Sequence, residues 1–205
     1  MNFITFKEKF KDFLIFSVND IRLLDPWFFN QRLVEWQKKG YIKKIVRKYY
    51  IFSDTEINEQ LLFLTANKIY KPSYISFETA LAYYGLIPES VYKITSAATK
   101  KTYNFNTPLG KLSYHTLHKK LFFGYKLMAY KKESFIIASA EKALLDFFYI
   151  NEHIKTKTDI LELRINKNRV QGVLAMPVLD EYLAKFQNKA LEGKIKIFKE
   201  CIKND

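Results

Sequence analysis

The apolar period changes partway through the first 52 residues, and nothing else in the sequence constrains the fold as strongly. Phe3, Phe6, Phe10 and Phe13 recur at helical spacing, which predicts a first helix. Ser17 is placed to cap a second, short helix over Val18–Leu24, with Asp20 in its first turn, where the helix dipole favours a carboxylate. Asp25-Pro26 reads as the next helix start, because Asp can accept from the free N–H groups and Pro at the first helical position gives up no hydrogen bond. This third helix is expected to run to about Lys39, with Gly40 as its stop. The period then shortens to that of a strand. Residues 41–46 and 49–52 predict two short strands around a basic tip, Arg47-Lys48. Three helices and a hairpin describe a winged helix-turn-helix.

On the third helix, Phe29, Leu33 and Trp36 share one face and are expected to pack on the first two helices. Trp27, Gln31, Val34, Glu35 and Lys38 fall on the other face. In this motif the third helix enters the major groove. Gln can pair with adenine and Glu can accept from cytosine N4. The expected DNA-binding set is therefore Trp27, Gln31, Arg32, Glu35 and Lys38 on the helix, with Lys43, Lys44, Arg47 and Lys48 on the wing as phosphate contacts. The alternative is a solvated basic face on a small helical bundle.

Charge decides how seriously to take a polyanionic partner. Lys and Arg number 34 against 21 Asp and Glu, a net charge of +13. The preference for Lys over Arg, 29 to 5, fits an AT-rich coding bias, but the excess of base over acid does not follow from that bias. Two acid-free windows concentrate it: residues 38–48 with six basic side chains and residues 90–132 with nine. Such density calls for a neutralising partner, nucleic acid or an anionic surface. The single cysteine, Cys201, excludes an internal disulfide and a cysteine-based zinc site, and fits a cytoplasmic setting. No apolar run is long enough to span a bilayer, and the N-terminus lacks the order of a secretory signal, so no membrane partner is expected.

The remainder reads as an α+β unit. Residues 53–72 form a helical connection, and Lys71-Pro72 marks the joint, giving domains at 1–70 and 71–205. Ser76 is expected to cap a helix that Gly85 ends, with Phe77, Ala80, Leu81 and Tyr84 inward. Strands are expected at 91–98, 103–105, 111–117, 121–130 and 135–138, forming a mainly antiparallel sheet. Ser139 caps an apolar helix over 140–149, and a helical tail follows, with Gly172 and Pro177 as breaks. His115 and His118 lie on opposite faces of a strand and do not make a metal site, and Glu141 reads as a helix N-terminal charge. No phosphate loop or catalytic triad is present, so neither an enzyme nor a cofactor is expected.

Several segments together resemble the AbiEi family of bacterial antitoxins. They are residues 74–89 (YISFETALAYYGLIPE), 91–96 (VYKITS), 122–125 (FFGY) and 138–146 (ASAEKALLD), with Leu33, Trp36, Gly40-Tyr41-Ile42 and Arg47-Lys48-Tyr49-Tyr50 before them. The resemblance covers residues 15–150. The chain departs from the family pattern at the wing tip, where Lys48 replaces a common Gly, and at Trp36, where Leu is favoured. The resemblance implies an antitoxin and transcriptional autorepressor of a type IV toxin–antitoxin operon. Its winged helix would bind inverted repeats in double-stranded operator DNA. Its second domain would neutralise a nucleotidyltransferase-like toxin, usually without a stable complex. Within the acid-free window, Lys93, Lys100, Lys101, Lys119, Lys120 and Lys126 form the expected antitoxin surface. The alternatives are an RNA- or toxin-binding interaction protein without operator specificity, and a metal-dependent nuclease. Interleaved pairs such as Tyr125-Lys126 and Tyr130-Lys131 suit the stacking of single-stranded bases.

Overall fold

The computed structural model describes residues 1–88 and 93–203 and is α+β, with ten α-helices and nine strands among them. The N-terminal elements are α1 (Phe3–Lys9), β1 (Phe16–Ser17), α2 (Val18–Leu24), α3 (Gln31–Lys38), β2 (Ile42–Val46) and β3 (Tyr49–Phe52). The Asn2 side chain caps α1 by accepting from Thr5 N–H. Ser17 and Asp20 form a reciprocal capping box at α2, which satisfies two of the N–H groups a helix start leaves free. The strands form an antiparallel sheet in the order β1-β3-β2.

The third helix starts later than Asp25-Pro26 suggests. Residues 25–30 stay in turns, with Phe28 N–H bonded to the Asp25 carbonyl, and α3 begins at Gln31. That shift rotates the inward set: Phe28 is buried beside Leu33 and Trp36, and Phe29 is 66% exposed.

The small sheet is covered on both faces. Phe16, Ile42, Tyr50 and Phe52 join Phe6, Phe10, Phe28 and Trp36 in one apolar cluster. Ile15, Ile45 and Ile51, from the same strands or their ends, join the larger core instead. Strand side chains alternate between faces, so Ile51 between Tyr50 and Phe52 must point the other way. A strand buried on both sides reads as a continuous apolar run, as Tyr-Tyr-Ile-Phe does.

The larger unit begins with α4 (Glu59–Ile69), β4 (Ser73–Ile75), α5 (Phe77–Tyr83), β5 (Lys93–Ala98), β6 (Tyr103–Thr107) and β7 (Gly110–Thr116). A 3₁₀ turn, Lys119–Leu121, leads to β8 (Tyr125–Tyr130), β9 (Glu133–Ala138) and α6 (Ala140–Ile150). The tail is α7 (Lys157–Glu162), α8 (Lys167–Val173), α9 (Met176–Phe186) and α10 (Lys189–Lys203). Its six strands run β6-β7-β5-β4-β9-β8. The sheet is mixed, which corrects the expectation of a mainly antiparallel one: β5–β7 and β4–β9 are parallel, and the other pairs antiparallel. The short β4, hidden in the approach to α5, supplies one parallel pairing. The expected strand over 121–130 begins only at Tyr125, because 119–121 close a 3₁₀ turn. The expected strand start at Val91-Tyr92 lies outside the described residues.

The first nine residues of α6 are buried, which makes this helix the centre of the unit. Burying Leu144, Leu145 and Phe148 contributes about 1.5–3 kcal/mol each. The Ser139 hydroxyl caps it by accepting from Lys142 N–H. On the other side of the sheet, Leu61, Phe63 and Leu64 of α4 belong to the same core, so the sequence joint at Lys71-Pro72 follows a helix already committed to this unit. Leu14-Ile15 is tied down as well: Leu14 N–H donates to Glu133, Lys68 donates to the Ile15 carbonyl, and Lys68 pairs with Glu133.

Candidate nucleic-acid interface

Gln31, Glu35 and Lys38 lie on α3, with Val34 49% exposed between them. Trp27, in the turn before the helix, is 94% exposed. Arg32 is placed differently from the rest of its expected set. Its guanidinium donates to the Met1 carbonyl, so it ties α3 to the N-terminus.

Lys43 and Lys44 are both exposed on β2, although neighbouring strand residues should face opposite ways. They do alternate, but β2 is an edge strand, so each clears the core on its own side; the pairing slips only beyond them, between Lys44 and Val46. Arg47 and Lys48 form the turn. Lys48 adopts φ 73°, the left-handed backbone that glycine takes most easily, so it holds a glycine conformation while adding a cation. Its carbonyl accepts from Val18 N–H at 3.0 Å, which locks the tip to the start of α2. The wing tip is thus set by a hairpin tied to the capped start of α2.

The six lysines expected on the second unit do not form one cluster. Lys93 starts β5 and pairs across the sheet with Lys111. Lys100 and Lys101 follow the other end of β5, roughly 20 Å away at strand rise. Lys119 and Lys120 lie at that same end, because Leu117 N–H bonds to the Ala98 carbonyl. Lys126 is exposed on the edge strand β8. Tyr130, from the interleaved pairs, is buried, and its hydroxyl donates to Asn58. Tyr125 is 42% exposed.

The conspicuous polar residues of the second unit lie inside it. Lys142 and Asp146 are one helical turn apart on α6, fully buried and ion-paired. The Asp146 carboxylate also accepts the Tyr74 hydroxyl at 2.9 Å and the Ser76 hydroxyl at 2.8 Å. The Lys142 ammonium lies 5.6, 5.0 and 4.9 Å from the ring centres of Tyr74, Phe123 and Phe186. Burial pushes the Asp146 carboxyl above its ordinary range, against the downward pull of Lys142. Burial likewise pushes the Lys142 ammonium down. Ser76 precedes α5 as expected, but its hydroxyl serves Asp146 and makes no capping bond. Glu141 accepts the Ala175 N–H at 2.9 Å and so fastens the start of α9. Gly124, at φ 70°, lies against Lys142 and Tyr182, where an added Cβ would approach within 2.9 Å. The Glu-Lys-Ala-Leu-Leu-Asp segment is therefore the keystone of a core.

Among the described residues, no group of three or more His, Cys, Asp or Glu is arranged to hold a metal ion. His115 lies edge-on to Phe77, and burial pushes its imidazole pKa down. His118 caps the 3₁₀ turn. Among the described residues, no helix is long and apolar enough to cross a membrane.

One set of residues outside the expected sites comes together at the sheet edge. Phe122, Tyr125, Leu127 and Ile136 line a groove of about 380 Å³ with Lys71 and Ser73. The alternation of apolar Tyr125 and Leu127 beside an edge is the sequence signal that marks it. No protein-family model and no curated protein matches the chain.

Proposed function

We propose that this chain is a DNA-binding autorepressor and antitoxin of the AbiEi type, whose N-terminal unit is a winged helix-turn-helix that grips operator DNA. The observation that carries the proposal is the chain order of residues 3–52. Helix, strand, two helices and a hairpin close on a β1-β3-β2 sheet, with an exposed helix face beside an acid-free cationic tip. Gln31 and Glu35 would read base edges, and Lys43, Lys44, Arg47 and Lys48 would hold phosphates. The second unit, packed against the back of the small sheet, would carry neutralisation of a nucleotidyltransferase-like toxin. The resemblance across residues 74–146 supports this role, and the lysines at the Lys100–Lys120 end of the sheet are its surface candidates.

The test is binding of the protein to its own upstream DNA and to a scrambled duplex across a salt series. Preference for the native sequence is expected. The logarithmic salt slope should fall by about 0.9 for each phosphate no longer neutralised when Lys43, Lys44, Arg47 and Lys48 become Ala. Gln31→Ala and Glu35→Ala should narrow the preference with little change in slope. Equal affinity for both duplexes, unaffected by the α3 substitutions, would overturn the operator reading.

A further inference from the structure

The sheet ends in an edge strand, β8, with apolar side chains open to solvent. Leu127 is 70% exposed and lies opposite Ile136 in the β8–β9 pairing, so the two side chains share a face. Tyr125 is two residues back on that face. The rings of Phe122 and Tyr125 stand 5.4 Å apart, and the buried Tyr74 ring packs against both at 4.9 and 5.2 Å. This is a slot with aromatic and aliphatic walls and an open mouth.

Its rim is basic. Lys71 lines it together with Lys68, whereas the preceding residue, Tyr70, faces away toward the opposite edge of the sheet. The Tyr70 ring stacks on Tyr103 at 6.3 Å and lies 5.7 Å beneath the Lys100 ammonium, and its hydroxyl donates to the Lys101 carbonyl. Tyr103 is itself 52% exposed on the opposite edge strand. Glu133, at the start of β9, is spent on Lys68 and the Leu14 N–H. At the inner end, Ser73 is 4% exposed and its hydroxyl has no hydrogen-bond partner among the described residues.

Flat apolar walls select a planar ring, and lysines at the rim select the anion attached to it. We propose that this groove is a binding site for single-stranded nucleic acid, with a base stacked against Tyr125, Phe122 and Leu127 and a flanking phosphate on Lys71. A duplex cannot enter, because its bases are already stacked on one another. The groove is independent of the operator site: α3 and the wing can fail to read DNA while the groove still binds a strand.

The test is fluorescence anisotropy with labelled twelve-nucleotide oligo(U), oligo(A) and oligo(dT), at two salt concentrations, against the intact protein. Tyr125→Ala should weaken binding by about 5- to 150-fold, the range for one lost stacking partner. Leu127→Glu, at an exposed position that folding tolerates, should weaken it at least as much. At the higher salt concentration the Lys43, Lys44, Arg47 and Lys48 quadruple alanine variant should weaken it less than Tyr125→Ala does. A 4-thiouridine strand should photocrosslink to peptides containing residues 122–127. Tighter binding of RNA than of oligo(dT) identifies a ribose contact, and equal binding identifies recognition by base and phosphate; both support the site. Affinity unmoved by Tyr125→Ala and Leu127→Glu overturns it, as do crosslinks confined to residues 27–48. Binding of an extended peptide along β8 in place of any oligonucleotide also overturns it.

Discussion

Asp146→Ala is the sharpest test of how the second unit is built. Asp146 is fully buried, and its carboxylate neutralises Lys142 while accepting the hydroxyls of Tyr74 and Ser76. Removing one partner of a buried ion pair costs about 3–5 kcal/mol, because the remaining charge has no water to turn to. Two orphaned hydroxyls add to that, at about 1–3 kcal/mol for each that finds no new partner. With both hydroxyls unpaired the sum is at least about 5 kcal/mol, a large share of the roughly 5–15 kcal/mol that holds a typical domain together. Urea unfolding followed by far-UV and near-UV circular dichroism gives the number. The same reasoning predicts a recovery. Tyr74→Phe, Ser76→Ala, Lys142→Met and Asp146→Leu combined remove every stranded polar group and should restore most of the loss, since apolar replacement of a whole buried pair is often neutral or better. A loss under about 1.5 kcal/mol for Asp146→Ala, or a quadruple variant no more stable than the single one, would refute this picture of the core.

Gly124→Ala should cost about 2–5 kcal/mol in the same assay. A left-handed backbone penalises a Cβ by about 1–2 kcal/mol, and overpacking against Tyr182 and Lys142 adds about 1–3. Gly40→Ala, at nearly the same φ of 71° and with nothing within 4 Å of its added Cβ, bears only the backbone share and is the control. Alkaline titration gives a further outcome. Burial raises the Tyr84 phenol from the ordinary 10 to about 12, and raises Tyr74 and Tyr114 as well. The folded chain therefore holds these protons more tightly than the unfolded one. Their stabilisation is complete below pH 10 and is lost as pH rises through 10 toward 12 and beyond. Phenolate absorbance should show a group of the 14 tyrosines ionising only with unfolding. A single transition near pH 10 with dichroism intact would count against it.

Local signals were legible wherever one residue decides a local geometry. Ser17 with Asp20, the Tyr49–Phe52 strand and the Ser139 cap stand where the sequence places them. The sequence misleads where two partners compete for one group. Ser76 looks like a cap because capping is the local use of a hydroxyl, yet Asp146, seventy residues on, takes it. Asp25-Pro26 looks like a helix start, yet burial of Phe28 holds the chain in turns until Gln31. The parallel pairings of β4 and β5 depend on which strands meet across the chain, and no local pattern carries that. The lysine surface divides for the same reason: sequence proximity groups Lys93 with Lys100, and an extended strand holds them apart. The groove beside β8 was half legible, as aromatic–basic interleaving, but the packing of the folded strand decides which tyrosine is exposed, sparing Tyr125 and burying Tyr130.

The doubly covered small sheet bears on modularity. Small N-terminal heads are often treated as exchangeable parts that recombination can move between proteins. Here Ile15, Ile45 and Ile51 belong to the neighbour's core. Cutting after residue 52 bares all three on the head and opens a matching hollow on the body. Neither half is a finished surface, so a cut that separates them exposes apolar side chains on one half and an unfilled hollow on the other.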